Sequence, residues 1–150
     1  MNPFLSLREY EQFVYTLQQQ YPAVLRSTFT IARQGRGLAR LTGELHFMKG
    51  YRLVISEILT WDADSLLIQH YGYEVWCASD KRYWYDSQPH PDQPALASTH
   101  PHHKHVPPEI KHHRIPAPGL RFDGPNLPLL IEEVEHLLLA DNAAFGLNRR

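Results

Sequence analysis

Residues 51–61, YRLVISEILTW, place Tyr51, Leu53, Ile55, Glu57 and Leu59 at every second position. A two-residue period puts these side chains on one face of a strand, so the carboxylate of Glu57 travels inward with its apolar neighbours. The same alternation continues on both sides. Leu25, Phe29 and Ile31 mark a first strand, closed by the turn Gln34-Gly35-Arg36-Gly37. Leu41, Gly43, Leu45 and Phe47 mark a second, closed by Lys49-Gly50. After Asp62-Ala63-Asp64, strands are expected over Leu66–Trp76 and Arg82–Tyr85, separated by Ser79-Asp80-Lys81. Short turns between alternating strands predict an antiparallel meander of about five strands.

A helix is expected at each end. Ser6-Leu7-Arg8-Glu9 has the form of a capping box, and Leu7, Tyr10, Phe13, Val14, Leu17 and Tyr21 follow at helical spacing until Pro22. Near the C-terminus Gly124-Pro125 breaks the chain and Asn126 is a candidate cap. An apolar stripe of Leu127, Leu130, Ile131, Val134, Leu137 and Leu138 follows. Asn142 to Arg150 reads as a loosely held tail. The fold class is therefore α+β: one domain over residues 1–150, with helices on one sheet face and the other face partly open.

Composition narrows the function classes. The 150 residues are 43% hydrophobic and 21% charged with a net charge of -1, which suits a globular domain. That balance argues against a strongly basic, non-specific nucleic-acid binder. The single cysteine, Cys77, excludes an internal disulfide and fits a reducing compartment. The start, MNPFLSLREYE, lacks the basic region of a signal peptide, and no apolar run approaches the roughly 20 residues of a membrane span. The expected setting is the cytoplasm, without a membrane partner.

Seven of the ten histidines fall between His90 and His113, among five prolines. Proline disfavours helix and central strand, so residues from about 87 to 118 are expected to form a long, stiff, functional loop. Imidazole changes charge near neutral pH and is the commonest metal ligand. His90, His102, His103 and His105, with Lys104 among them, supply proton carriers and a cation in one short stretch. Glu57 is a candidate base, or a strand carboxylate paired with an arginine such as Arg82. Arg82 and Asp86 bracket the last aromatic strand, where a catalytic pair and a surface salt bridge are equally consistent. Tyr71, Tyr73, Tyr83, Trp84 and Tyr85 decorate two neighbouring strands and could stack bases, with Tyr71, Tyr73 and Tyr85 as the candidates, against the ordinary reading of aromatics paired across strands. A metal is a second possibility, with His100 and His102 or His103 and His105 gripping an ion together.

Taken in order, the motifs are Tyr21-Pro22, Gly43-x-Leu45-x-Phe47, Glu57, Tyr71-Gly72-Tyr73, Arg82 to Asp86, Pro89-His90-Pro91 and Thr99-His100-Pro-His-His-Lys-His105. This series resembles the TumE family, the toxin halves of bacterial and archaeal type II toxin–antitoxin pairs. The resemblance spans about Tyr10 to His136, and its PHHKH block is the most specific part. Two positions depart from the family pattern: Pro91 where a second histidine is usual, and His100 where an aromatic is usual. The resemblance implies a small toxin neutralised by a co-encoded antitoxin that carries a DNA-binding domain, and toxins of this size often cleave RNA. Combined with the residues, the expectation is an endoribonuclease that needs no metal or other cofactor. In it His90, His102, His103 and His105 handle protons, Lys104 and Arg82 hold phosphate charge, Asp86 borders the centre, and Glu57 acts as base or orienter. The alternatives are a zinc- or manganese-dependent hydrolase, a metal store or sensor, and a toxin that works by binding a protein. Self-association is left open.

Overall fold

The computed structural model describes residues 2–147, with side chains through residue 141. In chain order the elements are α1 (Leu7–Tyr15), α2 (Leu17–Gln20), β1 (Arg26–Ser27), β2 (Thr30–Arg33), β3 (Leu38–His46), β4 (Tyr51–Trp61), β5 (Leu66–Cys77), β6 (Asp80–Asp86), β7 (His103–His105), β8 (Arg114–Pro116) and α3 (Leu127–Leu147). Eight strands form one antiparallel sheet in the order β1-β3-β4-β5-β6-β7-β8, with β2 also paired to β3. The class is α+β as expected, with more strands than the five anticipated.

Three local differences have physical causes. The N-terminal helix is capped by Ser6, whose Oγ accepts from the Glu9 amide at 3.2 Å, but it divides at Thr16. The Thr16 hydroxyl donates to the Gln12 carbonyl at 2.7 Å, competing with the helical ladder. The first predicted strand also divides, into β1 and β2, around Thr28. There Gly43 has φ +137, and a Cβ on it would lie 2.7 Å from the Thr28 carbonyl oxygen, so this close crossing requires glycine. The third difference decides the site. The segment 87–118 is not a single loop: it contains a 3-10 turn over Pro94–Thr99 and the strands β7 and β8. Pro101 and Pro107 flank a proline-free run, and its amides are free to pair with the exposed edge of β6. At the other end α3 continues to Leu147, so residues 142–147 are helical rather than a tail, and 148–150 lie outside the described residues.

The alternation seen in residues 51–61 separates two faces. Leu41, Leu45, Leu53, Ile55, Leu59, Tyr73 and Val75 point toward the helices and are buried. They pack with Tyr10, Val14 and Leu17 from α1 and α2 and with Leu127, Leu130, Ile131 and Val134 from α3. Side chains of the opposite parity, such as Arg52, Ser56, Glu74, Trp76 and Trp84, are only partly covered.

Glu57 lies inside the helical face with no exposed surface. Tyr10 Oη donates to Glu57 Oε1 at 2.6 Å, Tyr73 Oη donates to Oε2, and Asn126 Nδ2 donates to Tyr73 Oη at 3.0 Å. The Asn126 side chain serves this network and the Arg121 backbone, while its carbonyl accepts from Leu130 at the start of α3. Burial raises the Glu57 carboxyl to about 7, although both tyrosine hydrogen bonds pull it down. A folded-state value above the unfolded one means the native protein holds an extra proton. The resulting stability is complete below about pH 4.5 and is lost as pH rises to about 7. Denaturant unfolding across that range is expected to show a fall of about 3 kcal/mol attributable to this group, absent in Glu57→Gln. Gln preserves the pairing because its amide donates to Tyr10 while its carbonyl accepts from Tyr73. Glu57→Leu leaves both hydroxyl protons without their acceptor and is expected to cost about 3 kcal/mol or more at every pH.

Candidate active site

Backbone register builds a cluster on the face opposite Glu57. Strand β7 pairs with β6 so that His103 lies across from Asp86 and His105 across from Trp84. All four residues share the less covered face, and the His90 ring and the Pro101 and Ile110 carbonyls lie against the two imidazoles. His103 and His105 are each 1% exposed. His103 Nε2 is 2.9 Å from Asp86 Oδ1, His105 Nε2 is 3.4 Å from Asp86 Oδ2, and the two Nε2 atoms are 3.1 Å apart. Each ring is held from behind. His103 Nδ1 donates to the Pro101 carbonyl at 3.0 Å and His105 Nδ1 to the Ile110 carbonyl at 2.7 Å.

The surroundings fix the cluster and its charge. The Trp84 indole stacks on His105 with centroids 3.7 Å apart and planes 14° from parallel. The His90 ring meets His103 edge-on at 4.8 Å. Burial raises the Asp86 carboxyl, but the His103 imidazole beside it and the hydrogen bond from the Gln88 amide outweigh that and hold it below its usual value. Burial lowers the imidazoles of His90 and His105, and the nearby Arg114 guanidinium adds to the effect. Arg114 pairs with His105 across β7 and β8. Its buried Nε has no hydrogen-bond partner, so an unspent cationic donor stands beside the cluster. Next to His90, a depression of about 250 Å³ is lined by His90, Pro91, Gln93, Ala97 and His100. On β5, Gly72 lies across from Asp86, and a Cβ there would meet nothing within 4 Å. The sheet beside the carboxylate is thus left uncovered.

The other residues singled out from the sequence lie elsewhere. His102 turns to the helical side, where its Nδ1 sits 2.6 Å from the Tyr71 hydroxyl and its ring contacts Phe122 at 4.5 Å. Lys104 also points to that side, pairing with Glu133 of α3 at 3.3 Å and covering the Tyr83 ring at 4.1 Å. Arg82 is the extra residue at the β5–β6 bulge, half exposed and paired with Asp80, about 13 Å along the strand from Asp86. Tyr71, Tyr73 and Tyr85 are buried at 5%, 0% and 6%, with Tyr85 donating to Glu133 at 2.7 Å. Their rings offer no open surface for a base. Of the predicted groups, Asp86, His90, His103 and His105 meet at this cluster, whereas Glu57 meets Tyr73 and His102 meets Tyr71 on the helical side. A larger cavity of about 620 Å³ lies near α1, α2 and Pro128. Its lining includes only Glu9 and Tyr21 as ionisable groups, so the chemistry points to the cluster instead.

A sequence model of one protein family, described as Toxin TumE, matches residues 14–138. The chain belongs to the TumE toxin family. Toxins of this family imply a cognate antitoxin, and the matched span contains every residue of the cluster. No curated protein and no solved structure matches the chain. Among the described residues, no helix of this TumE member is long and apolar enough to cross a membrane.

One contributor to the TumE cluster escaped the sequence, and a second was visible only as one of a run of strand aromatics. Arg114 carries no motif and lies beyond the dense histidine block, so only the β7–β8 pairing reveals it. Trp84 looks like any strand aromatic until the register sets it on His105. The tautomers are checkable. A carbonyl only accepts, so both neutral rings must carry their proton on Nδ1, the opposite of the usual preference in free imidazole. Long-range proton–nitrogen NMR of the chelator-treated protein is expected to show Nδ1–H for His103 and His105. It should also show His90, His102 and His105 titrating below 6.5.

Proposed function

We propose that this toxin cleaves RNA at the centre formed by Asp86, His103 and His105, with Arg114 holding the scissile phosphate. The observation that carries the reading is the placement of Arg114. A buried guanidinium nitrogen without a partner stands on the same face as three convergent proton-accepting groups. Phosphodiester cleavage needs these parts: groups that remove a hydroxyl proton, and a fixed cation against the charge on the phosphoryl oxygens. Guanidinium also suits the planar, two-pronged contact that phosphate oxygens offer.

In this reading the RNA 2′-hydroxyl loses its proton to the centre, and its oxygen bonds to phosphorus. The bond from phosphorus to the 5′-oxygen breaks, and that oxygen takes up a proton, for which His90 at the edge of the cluster is the nearest candidate. The products carry a 2′,3′-cyclic phosphate and a 5′-hydroxyl.

The uncovered face supplies a path for a single strand. Arg52 lies over Trp76 at 4.9 Å, and Lys81 lies over both Trp76 and Trp84 at 5.3 and 5.1 Å. This row of rings and cations leads to His105. It is the kind of surface on which unpaired bases stack without sequence preference.

Incubating the antitoxin-free protein with end-labelled RNA tests the reading. Wild type is expected to generate the cyclic phosphate ends. Arg114→Gln is expected to lower the rate by roughly 100-fold with the fold intact, and His103→Ala with His105→Ala is expected to abolish cleavage. A 2′-deoxy substitution at the cleaved position should block it. A folded wild type that leaves every RNA intact while still arresting growth would overturn the proposal and favour a toxin that acts by binding.

A further inference from the structure

The geometry points to a divalent transition-metal ion, with zinc as the first candidate, held by Asp86, His103 and His105. This inference rests on reading that cluster as the working centre, and it names the cofactor that the centre takes.

The argument is a count of protons. His103 and His105 each give a ring proton to a backbone carbonyl through Nδ1. A neutral imidazole has only one such proton, so both Nε2 atoms present lone pairs. These lone pairs lie 3.1 Å apart and face the two oxygens of Asp86 at 2.9 and 3.4 Å. Three acceptors therefore converge with nothing to donate between them. One added proton, on His103 Nε2, can be shared between Asp86 Oδ1 and His105 Nε2 but leaves His105 Nε2 facing Asp86 Oδ2 with no donor between them. Two added protons set one N–H against another across 3.1 Å. A single cation at the common focus satisfies all three at once.

The separations agree with that cation. Metal–nitrogen and metal–oxygen bonds of about 2.0–2.1 Å place neighbouring ligand atoms about 3.3 Å apart in a tetrahedron and about 3.0 Å apart in an octahedron. The Nε2–Nε2 separation of 3.1 Å and the His103 Nε2–Asp86 Oδ1 separation of 2.9 Å match such neighbours, and Asp86 Oδ2 stands 3.4 Å from His105 Nε2. Carbonyl acceptors behind each imidazole are the outer partners that metal-bound histidines usually have. The Trp84 ring removes the remaining freedom of His105. Two nitrogens and a carboxylate oxygen suit a borderline ion such as zinc, and three protein ligands leave positions for water or substrate. An ion there acidifies a bound hydroxyl, which serves the proton removal that cleavage requires.

The ligand set differs from a histidine tag. His112 and His113 are exposed, as is His100, and among the described residues the only group of three or more convergent ligands is Asp86, His103 and His105. Zinc titration of the chelator-treated full-length protein by calorimetry is the test. One equivalent is expected to bind. Combined His100→Ala, His112→Ala and His113→Ala changes should leave that stoichiometry and affinity unchanged. His103→Ala or Asp86→Asn should weaken binding by more than about 100-fold. To guard against misfolded variants, cobalt-loaded wild type should also be examined by proton NMR. Two strongly shifted, slowly exchanging ring N–H signals are expected, one from each Nδ1.

No binding, or binding lost with the exposed histidines and kept without His103, would overturn the inference. The RNA assay fails separately. Metal bound at these residues without RNA cleavage sinks only the ribonuclease reading. Cleavage in excess chelator by protein that binds no zinc sinks only the metal.

Discussion

A carboxylate with no exposed surface holds this fold together. Glu57 gathers the hydroxyls of Tyr10 and Tyr73, and Tyr73 in turn takes a hydrogen bond from Asn126. One network therefore joins α1, β4, β5 and the chain just ahead of α3. Apolar packing around it is non-directional and would tolerate several helix placements. A buried, hydrogen-bonded acid is far less tolerant, because each misplaced element leaves a polar group unpaired. With both helices committed to one face of the sheet, the opposite face is left for chemistry.

The site follows from pairing rather than from loop conformation. Asp86 ends β6, and the three residues of β7 meet it in register, with His103 and His105 on its side and Lys104 on the other. A shift by one residue would exchange them, presenting Lys104 to Asp86 and burying both imidazoles against α3. The backbone thus performs the sorting that the dense sequence His102-His103-Lys104-His105 conceals.

This is also why the fold was more legible than the site. Period-two alternation over residues 51–61 is a direct imprint of a half-buried strand, and capping at Ser6 is a local effect. Both could be read from neighbours in the chain. Asp86 and the paired histidines were visible as residue types, but their company was not: Glu57 and Lys104 had the right chemistry and the wrong face, and Arg82 stood too far along the strand. Glu57 stood in register with Leu53 and Ile55, and that alignment signalled a core role as much as a catalytic one. The proline content of residues 87–118 suggested a loop, and it took only a short gap between Pro101 and Pro107 to admit a strand. Arg114 depends on β8 pairing at the very edge of the sheet, a long-range event that no local pattern announces.

The position of β7 carries a consequence for how the protein fails. The core is assembled from β3, β4, β5 and the helices, whereas the strand that carries His103 and His105 is three residues long and is bordered on its far side by another three-residue strand. Releasing such a margin from β6 takes a fraction of the free energy of global unfolding. The centre therefore has its own opening equilibrium, separable from that of the molecule. Amides of residues 103–105 would exchange with solvent through that local event, while those of β4 would wait for the whole domain to unfold.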